Sequence, residues 1–282
     1  MLPHRRADTA RPQGERTDAE NLPAQAEEPV HERRRQRAGT NDTEVAEVKF
    51  SAQTQKLQRR YMRTFLEKIR KPQKNQSTLT MVLITLGIVL GGFLLGVLQK
   101  WIDGSASNVL PDILNQLDIG NYFGRLAIWI LLATIISVYA KTPLRAAINT
   151  FLFFIGMLTG YYLYCNYVLG FLPRTYMMIW VVISIASFFL AFVCWYAKGQ
   201  GTVAIIISSV ILGVLFSQAI LITQGVYITH LLEVITWIIG VIVLYRKPKE
   251  FAIEMGLSLV VAFLYQLIIP YLSLIHISEP TR

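Results

Sequence analysis

The sequence has little cysteine and none of the arrangements in which cysteine does chemistry. Its two cysteines, Cys165 and Cys194, both lie inside apolar runs. Neither belongs to a CxxC pair or has a histidine at ligand spacing, which excludes a disulfide framework and a thiolate metal centre. They read as small buried hydrophobes. No HExxH, GxSxG or GxxxxGK[ST] pattern occurs, so zinc-protease, serine-hydrolase and P-loop chemistry have no carrier. The Gly199-Gln200-Gly201 triplet reads as a connector between helices rather than a phosphate loop. Without a nucleophile–base pair or a ligand set, the chain is not expected to be an enzyme, and no catalytic residue, cofactor or metal is assigned.

Charge is the second scarcity, and it is uneven. Of 27 Lys/Arg and 18 Asp/Glu, residues 1–76 hold 17 and 11, which leaves 10 and 7 for the 206 residues that follow. Soluble domains carry roughly 25% charged residues, so the later region is too poor in charge to fold in water. Much of the net charge of +9 falls just ahead of the first apolar run. There the anionic headgroups of a lipid bilayer are the natural partner, and no nucleic acid is implied.

Residues 1–45 mix Arg, Glu, Pro and Gln without periodicity. They cannot bury enough apolar surface to offset chain entropy, and are expected to be a disordered cytoplasmic arm or non-native upstream sequence. The arm has no apolar core, so no cleavable signal peptide is expected. Residues 46–76 differ. From Lys49 to Lys74 nine basic residues accompany one acid, Glu67. Leu57, Tyr61, Met62, Phe65, Leu66 and Ile69 recur at spacings of three and four, while Lys56, Arg59, Arg60 and Arg63 occupy much of the rest. The pattern predicts a basic amphipathic helix at an anionic membrane surface. The plainer alternative is a solvated helix or coiled-coil arm. Pro72 and the polar stretch after it end the helix.

Crossing a hydrocarbon core of about 30 Å takes about 20 apolar residues. Seven segments qualify: Leu79–Leu98, Phe123–Ala140, Leu144–Val168, Tyr176–Ala197, Thr202–Ile222, Val226–Tyr245 and Phe251–Leu272. The predicted fold is therefore an all-α, polytopic bundle of seven transmembrane helices over residues 79–272. Lys141, Arg145, Lys198, Arg246, Lys247 and Lys249 fall in alternate loops on the side of the N-terminal arm. That bias puts the N-terminus in the cytoplasm and the protein in the plasma membrane. Trp101, Tyr122, Tyr167, Tyr176, Trp195, Tyr196, Tyr227 and Tyr245 fall near the proposed ends, as expected of an aromatic belt. In the outer loop, Leu110, Ile113, Leu114 and Leu117 share a helical face after Pro111, which predicts a short surface helix.

An ionisable group at membrane depth costs about 2.5–3.5 kcal/mol on insertion scales. Glu233 is the clear case, about 10 Å inside the sixth segment by helical rise, with His230 three residues earlier on the same face. Together they are candidates to bind a cation or relay a proton. The alternative is that Glu233 pairs with His230 or Arg125 and fastens helices. Gln218, Gln266 and Asn166 lie at similar depth and suggest a polar cavity in the outer half of the bundle; Glu254 lies near the inner end. Gly92-x-x-x-Gly96 and Gly156-x-x-x-Gly160 offer small-residue faces for internal packing or dimerisation, and the oligomeric state is left open.

The stretches LPDILNQLDIGNYFGRLAIWILLATIISVYAKTPLRAAIN, FFIGMLTGYYLY, FLPRTYMMIW and WYAKGQG resemble a family of functionally uncharacterised bacterial multi-pass membrane proteins. The resemblance implies a membrane-embedded helical fold and carries no site. The final SLIHISEPTR resembles a translated sequencing-adapter tail, so residues 273–282 are excluded from the reading. Two functions remain: binding or translocation of a small solute or ion through the outer cavity, and a non-transporting scaffold or sensor working through the basic helix.

Overall fold

The computed structural model describes residues 30–73, 77–104, 111, 113, 116–223 and 225–273. The described residues from 60 onward form one compact unit and those before them another. The first helix is α1 (Val30–Ile69). It begins at Val30, inside the stretch 1–45 expected to lack regular structure. Residues 32–38, Glu-Arg-Arg-Arg-Gln-Arg-Ala, are all good helix formers, which favour helix even where they supply no core. The rest of the disordered-arm expectation lies outside the described residues. In the second unit α1 ends at Ile69, ahead of Pro72, with Leu66 and Ile69 packed on Trp195 and Tyr196.

The apolar segments fold as α2 (Thr78–Asp103), α4 (Leu126–Tyr139), α5 (Pro143–Tyr167), α6 (Arg174–Cys194), α7 (Thr202–Ala219), α8 (Leu231–Leu244) and α9 (Pro248–Ser273). A single turn, α3 (Ile119–Tyr122), precedes α4, and a 3-10 turn, Trp195–Lys198, extends α6. Five of these helices are long and apolar enough to cross a membrane, and the protein is an all-α membrane protein. The other two, α4 and α8, have 14 residues each. At 1.5 Å per residue they are about 21 Å long, short of the hydrocarbon thickness. The surface helix expected around Leu110–Leu117 falls mostly outside the described residues.

The sixth segment is the main correction. It does not start at Val226: Ile220–Leu221 and Tyr227–Ile228 pair as a two-stranded antiparallel hairpin, and helix begins only at Leu231. Gly225, at φ +118°, lies in the turn between the strands. Three of the four strand residues, Ile220, Tyr227 and Ile228, are β-branched or aromatic and suit extended backbone, yet the hydropathy of the hairpin is that of a span.

Lipid tails give helices little hydrophobic reason to associate, so close packing and polar ties must hold the bundle. The two Gly-x-x-x-Gly faces meet each other. A Cβ on Gly92 or Gly96 would strike the carbonyls of Phe153 or Met157, and one on Gly156 or Gly160 those of Val89 or Phe93. Backbone therefore lies on backbone between α2 and α5. Asn149 of α5 accepts a hydrogen bond from Thr85 of α2 at 2.9 Å. The short helix α4 packs against α5, α6, α7 and α8. Its Trp129 is buried among Phe153, Phe154, Met157, Leu158 and Trp180.

Alternate loops gather at one end. Gln73 N donates to Lys141 O at 2.9 Å, Gln200 N to Ile69 O at 2.8 Å, and Arg246 Nη1 to Gly199 O at 2.8 Å. Trp195 and Tyr196, expected in the aromatic belt, are instead buried there. Trp195 Nε1 donates to Ala140 O at 2.7 Å, and both rings cover Ile69. Tyr122, also expected in the belt, is buried at the other end. An aromatic at the end of an apolar run reads the same from sequence whether it meets lipid or another loop.

Candidate functional site: a buried ion-pair cluster

The far end, opposite these basic loops, holds the charged cluster that contains Glu233. Three local features build it. Asp118 adopts a left-handed conformation, φ 55° and ψ 39°, as the N-cap of α3. Aspartate tolerates that region better than most residues. The turn it makes brings Tyr122 and Arg125 inward. Arg125 is extended, at φ −91° and ψ 157°, and caps α4. His230 is likewise extended, at φ −149° and ψ 138°, and caps α8. Glu233 therefore stands in the first turn of α8, where its carboxylate complements the helix dipole. It is not about 10 Å, or two turns, inside a longer helix, and His230 precedes the helix rather than sharing its face.

Glu233 is 1% exposed. Its Oε1 accepts from Nε of Arg125 in a close ion pair. Nη1 of Arg125 donates to Asp118 Oδ2 at 2.7 Å, and Asn121 Nδ2 donates to Asp118 Oδ1 at 2.7 Å. His230 Nε2 lies 3.9 Å from Asp118 Oδ2, so the histidine faces Asp118, with Arg125 serving as Glu233's partner. The donated hydrogen bond from Arg125 holds the Asp118 carboxyl below its ordinary range, against a smaller opposing effect of burial. Glu233 Oε2 and Arg125 Nη2 are buried and have no hydrogen-bond partner among the described residues.

Around the pair the backbone is tied down. The Phe123 carbonyl, freed where α3 gives way to α4, accepts from Gln99 Nε2 at 3.0 Å and Trp129 Nε1 at 2.8 Å. Thr236 Oγ1 donates to Leu232 O at 2.7 Å and lies 2.5 Å from Tyr122 OH. The threonine proton is already committed, so Tyr122 is the donor of that second bond. Asp118, Tyr122, Thr236 and Gln99 were not picked out from sequence as members of a site. No sequence spacing links these four positions, which lie on α2, on α3 and its N-cap, and on α8.

The other candidate residues lie apart from this cluster. Gln266 of α9 accepts from Ile222 N at 2.9 Å and donates to Ile220 O at 2.7 Å and Ser217 O at 3.2 Å, binding the hairpin to the end of α7. Gln218 Nε2 donates to Tyr265 OH at 3.3 Å. Asn166 is exposed near the end of α5. Lys56, Arg59, Arg60 and Arg63 are exposed on α1, with Arg63 paired to Glu67 at 2.9 Å. Their apolar companions Leu57, Tyr61, Met62 and Phe65 are exposed as well. At the basic end Glu254 is fully buried, 3.5 Å from Arg246 Nε, while Arg246 donates to the Ala197 and Gly199 carbonyls. Among the described residues no three His, Cys, Asp or Glu side chains group as metal ligands do.

The sequence pattern of the Family of unknown function (DUF6518) matches residues 73–274. No curated protein matches the chain, and no solved structure does.

Proposed function

The chain belongs to this family of unknown function, and on the geometry above we propose that it binds, and moves across the membrane, a small polar solute or ion at the Arg125–Glu233 pair. The observation that carries the proposal is the pair's position. It lies at the starts of two helices too short to cross the bilayer alone, with one buried atom on each partner still free to bond among the described residues. A buried polar atom left unbonded costs about 1–3 kcal/mol, so a polar guest has two waiting contacts. Glu233 is the anionic ligand or proton carrier, Arg125 its counter-charge, and His230 and Asp118 form the rim. Ionisable residues at membrane depth are functional candidates by default. In this reading the bundle has seven helices, with α4 and α8 shielded by the longer ones. The basic loops and the N-terminal arm face the cytoplasm, and the membrane is the bacterial plasma membrane.

Reconstituted vesicles test this. With a pH-sensitive dye inside, the full chain should dissipate an imposed proton gradient, and Glu233→Gln should abolish that flux. Unchanged flux in a folded Glu233→Gln protein refutes the assignment.

One observation favours a second reading, a scaffold or sensor. The apolar stripe of Leu57, Tyr61, Met62 and Phe65 is exposed beside Lys56, Arg59, Arg60 and Arg63, which suits an anionic lipid surface. Reversing Arg59, Arg60 and Arg63 to Glu should release the helix from anionic vesicles while leaving gradient dissipation intact.

A further inference from the structure

The loops at the basic end enclose a pocket of about 250 Å³, lined by Arg70, Lys71, Gln73, Lys141 and Lys198 together with the Val138–Ala140 turn and Trp195. Its charge pattern is one-sided: four cations and, among the described residues, no carboxylate in the lining. Each cation except Lys71 is held in place by a neutral partner. Arg70 lies 4.2 Å from the centre of the Trp195 ring and donates to the Trp195 and Val138 carbonyls. Lys198 Nζ is 4.7 Å from the centre of the Tyr139 ring and 3.4 Å from its hydroxyl. Lys141 Nζ donates to Gln73 Oε1 at 2.9 Å. Neutral partners orient these charges without cancelling them.

Elsewhere among the described residues three buried or half-buried cations pair with acids, Arg125 with Glu233, Lys100 with Asp103 and Arg246 with Glu254, while Arg145 donates to Thr85 Oγ1 and Met81 Sδ instead. The pocket gathers four cations with no acid in its described lining, Arg70 half-buried and the three lysines exposed at its mouth. Four like charges converging on a semi-enclosed volume raise its potential and attract a counter-ion. Arg and Lys together, with amide and phenol donors at hand, are the groups that recognise phosphate oxygens. The volume is a little under the 300–1,000 Å³ or so of pockets for drug-sized ligands, which fits a headgroup-sized anion.

We propose that this pocket is a binding site for a phosphate-bearing anion, with the exposed Lys141 and Lys198 as its ligands and the half-buried Arg70 as its wall. The phosphate can come from the aqueous phase or from an anionic lipid headgroup in the adjoining leaflet. The site is independent of the Arg125–Glu233 assignment and is tested separately.

The test uses the full chain and two probes. In detergent, inorganic phosphate is titrated while the fluorescence of Trp195 is followed, with Trp195→Phe as the blank. In parallel, the protein is placed in phosphatidylcholine nanodiscs with and without phosphatidic acid. A saturable response to inorganic phosphate assigns the site to soluble anions; a response to phosphatidic acid alone assigns it to lipid. In either case Lys141→Gln/Lys198→Gln should weaken binding at least tenfold, and Lys141→Arg/Lys198→Arg should retain it. Lys247→Gln/Lys249→Gln removes the same charge from the same end outside the pocket and should leave binding within twofold. If the glutamine variant does not fold, the wild-type chain still decides the matter: the bound probe should protect Lys141 and Lys198, but not Lys247 and Lys249, from an amine-acylating reagent. Absence of a response to both probes, equal weakening by the two glutamine pairs, or equal protection of all four lysines overturns the proposal.

Discussion

Removing either partner of the Arg125–Glu233 pair should destabilise the bundle, and the two losses should differ. Breaking a buried ion pair by deleting one member typically costs about 3–5 kcal/mol, because the other charge is left uncompensated. In Glu233→Leu the guanidinium keeps Asp118 at 2.7 Å and is 22% exposed, so the loss should fall at the low end, about 3 kcal/mol. In Arg125→Met the carboxylate, 1% exposed, loses its ion-pair partner. That loss should be the larger, about 4–5 kcal/mol. The double variant replaces both charges by apolar groups and should recover most of it, since such exchanges are often neutral or stabilising. The assay is a double-mutant cycle on unfolding free energies from denaturant titration in mixed micelles, with an expected coupling of about 6 kcal/mol, the sum of the two single losses less about 1 kcal/mol for the double variant. Additive losses, with coupling below about 0.5 kcal/mol, would refute the reasoning: the pair would then be adjacent but not interdependent.

Further outcomes follow from single contacts. Gly96→Ala places a Cβ against the Met157 carbonyl and should cost about 1–3 kcal/mol by overpacking. Gly87→Ala on the same helix meets nothing within 4 Å and should be neutral or stabilising by up to about 1 kcal/mol; thermal unfolding of the two variants compares them directly. Gln266→Leu removes the ties to Ser217, Ile220 and Ile222, and should cost about 2 kcal/mol with faster amide exchange confined to residues 220–228. Asp118→Asn tests the pH dependence. The folded-state value of Asp118 is lowered, so its contribution is present above the ordinary aspartate value of about 3.9 and is lost as pH falls through the lower folded value. The stability gap between wild type and Asp118→Asn should be constant near neutrality and close only in strong acid.

The seven apolar segments were legible because a run of that length with so few charges has little alternative outside lipid. Glu233 was legible for the same reason, since an acid stands out in such a run. The start of α8 was not. Val226, Tyr227 and Ile228 continue the hydropathy of Leu231–Leu244, and a window over apolar character cannot distinguish an apolar hairpin from a helix. Gly225 was the one mark of a turn. The partner of Glu233 was harder to read, because Arg125 is 108 residues away and the Asp118 turn that delivers it depends on a backbone conformation, not on composition. Arg246 illustrates the opposite error. It counts with Lys247 and Lys249 as a loop cation, yet its side chain is 7% exposed and fixed against carbonyls and Glu254. The two glycine motifs were visible individually; that they face each other is a property of the packing alone.

The most direct test is a high-resolution structure in lipid nanodiscs that shows what contacts Glu233 Oε2 and Arg125 Nη2. The account predicts a polar, non-protein group, water or solute, within hydrogen-bonding distance of both atoms. Apolar side chains or lipid tails closed against the two atoms would contradict it.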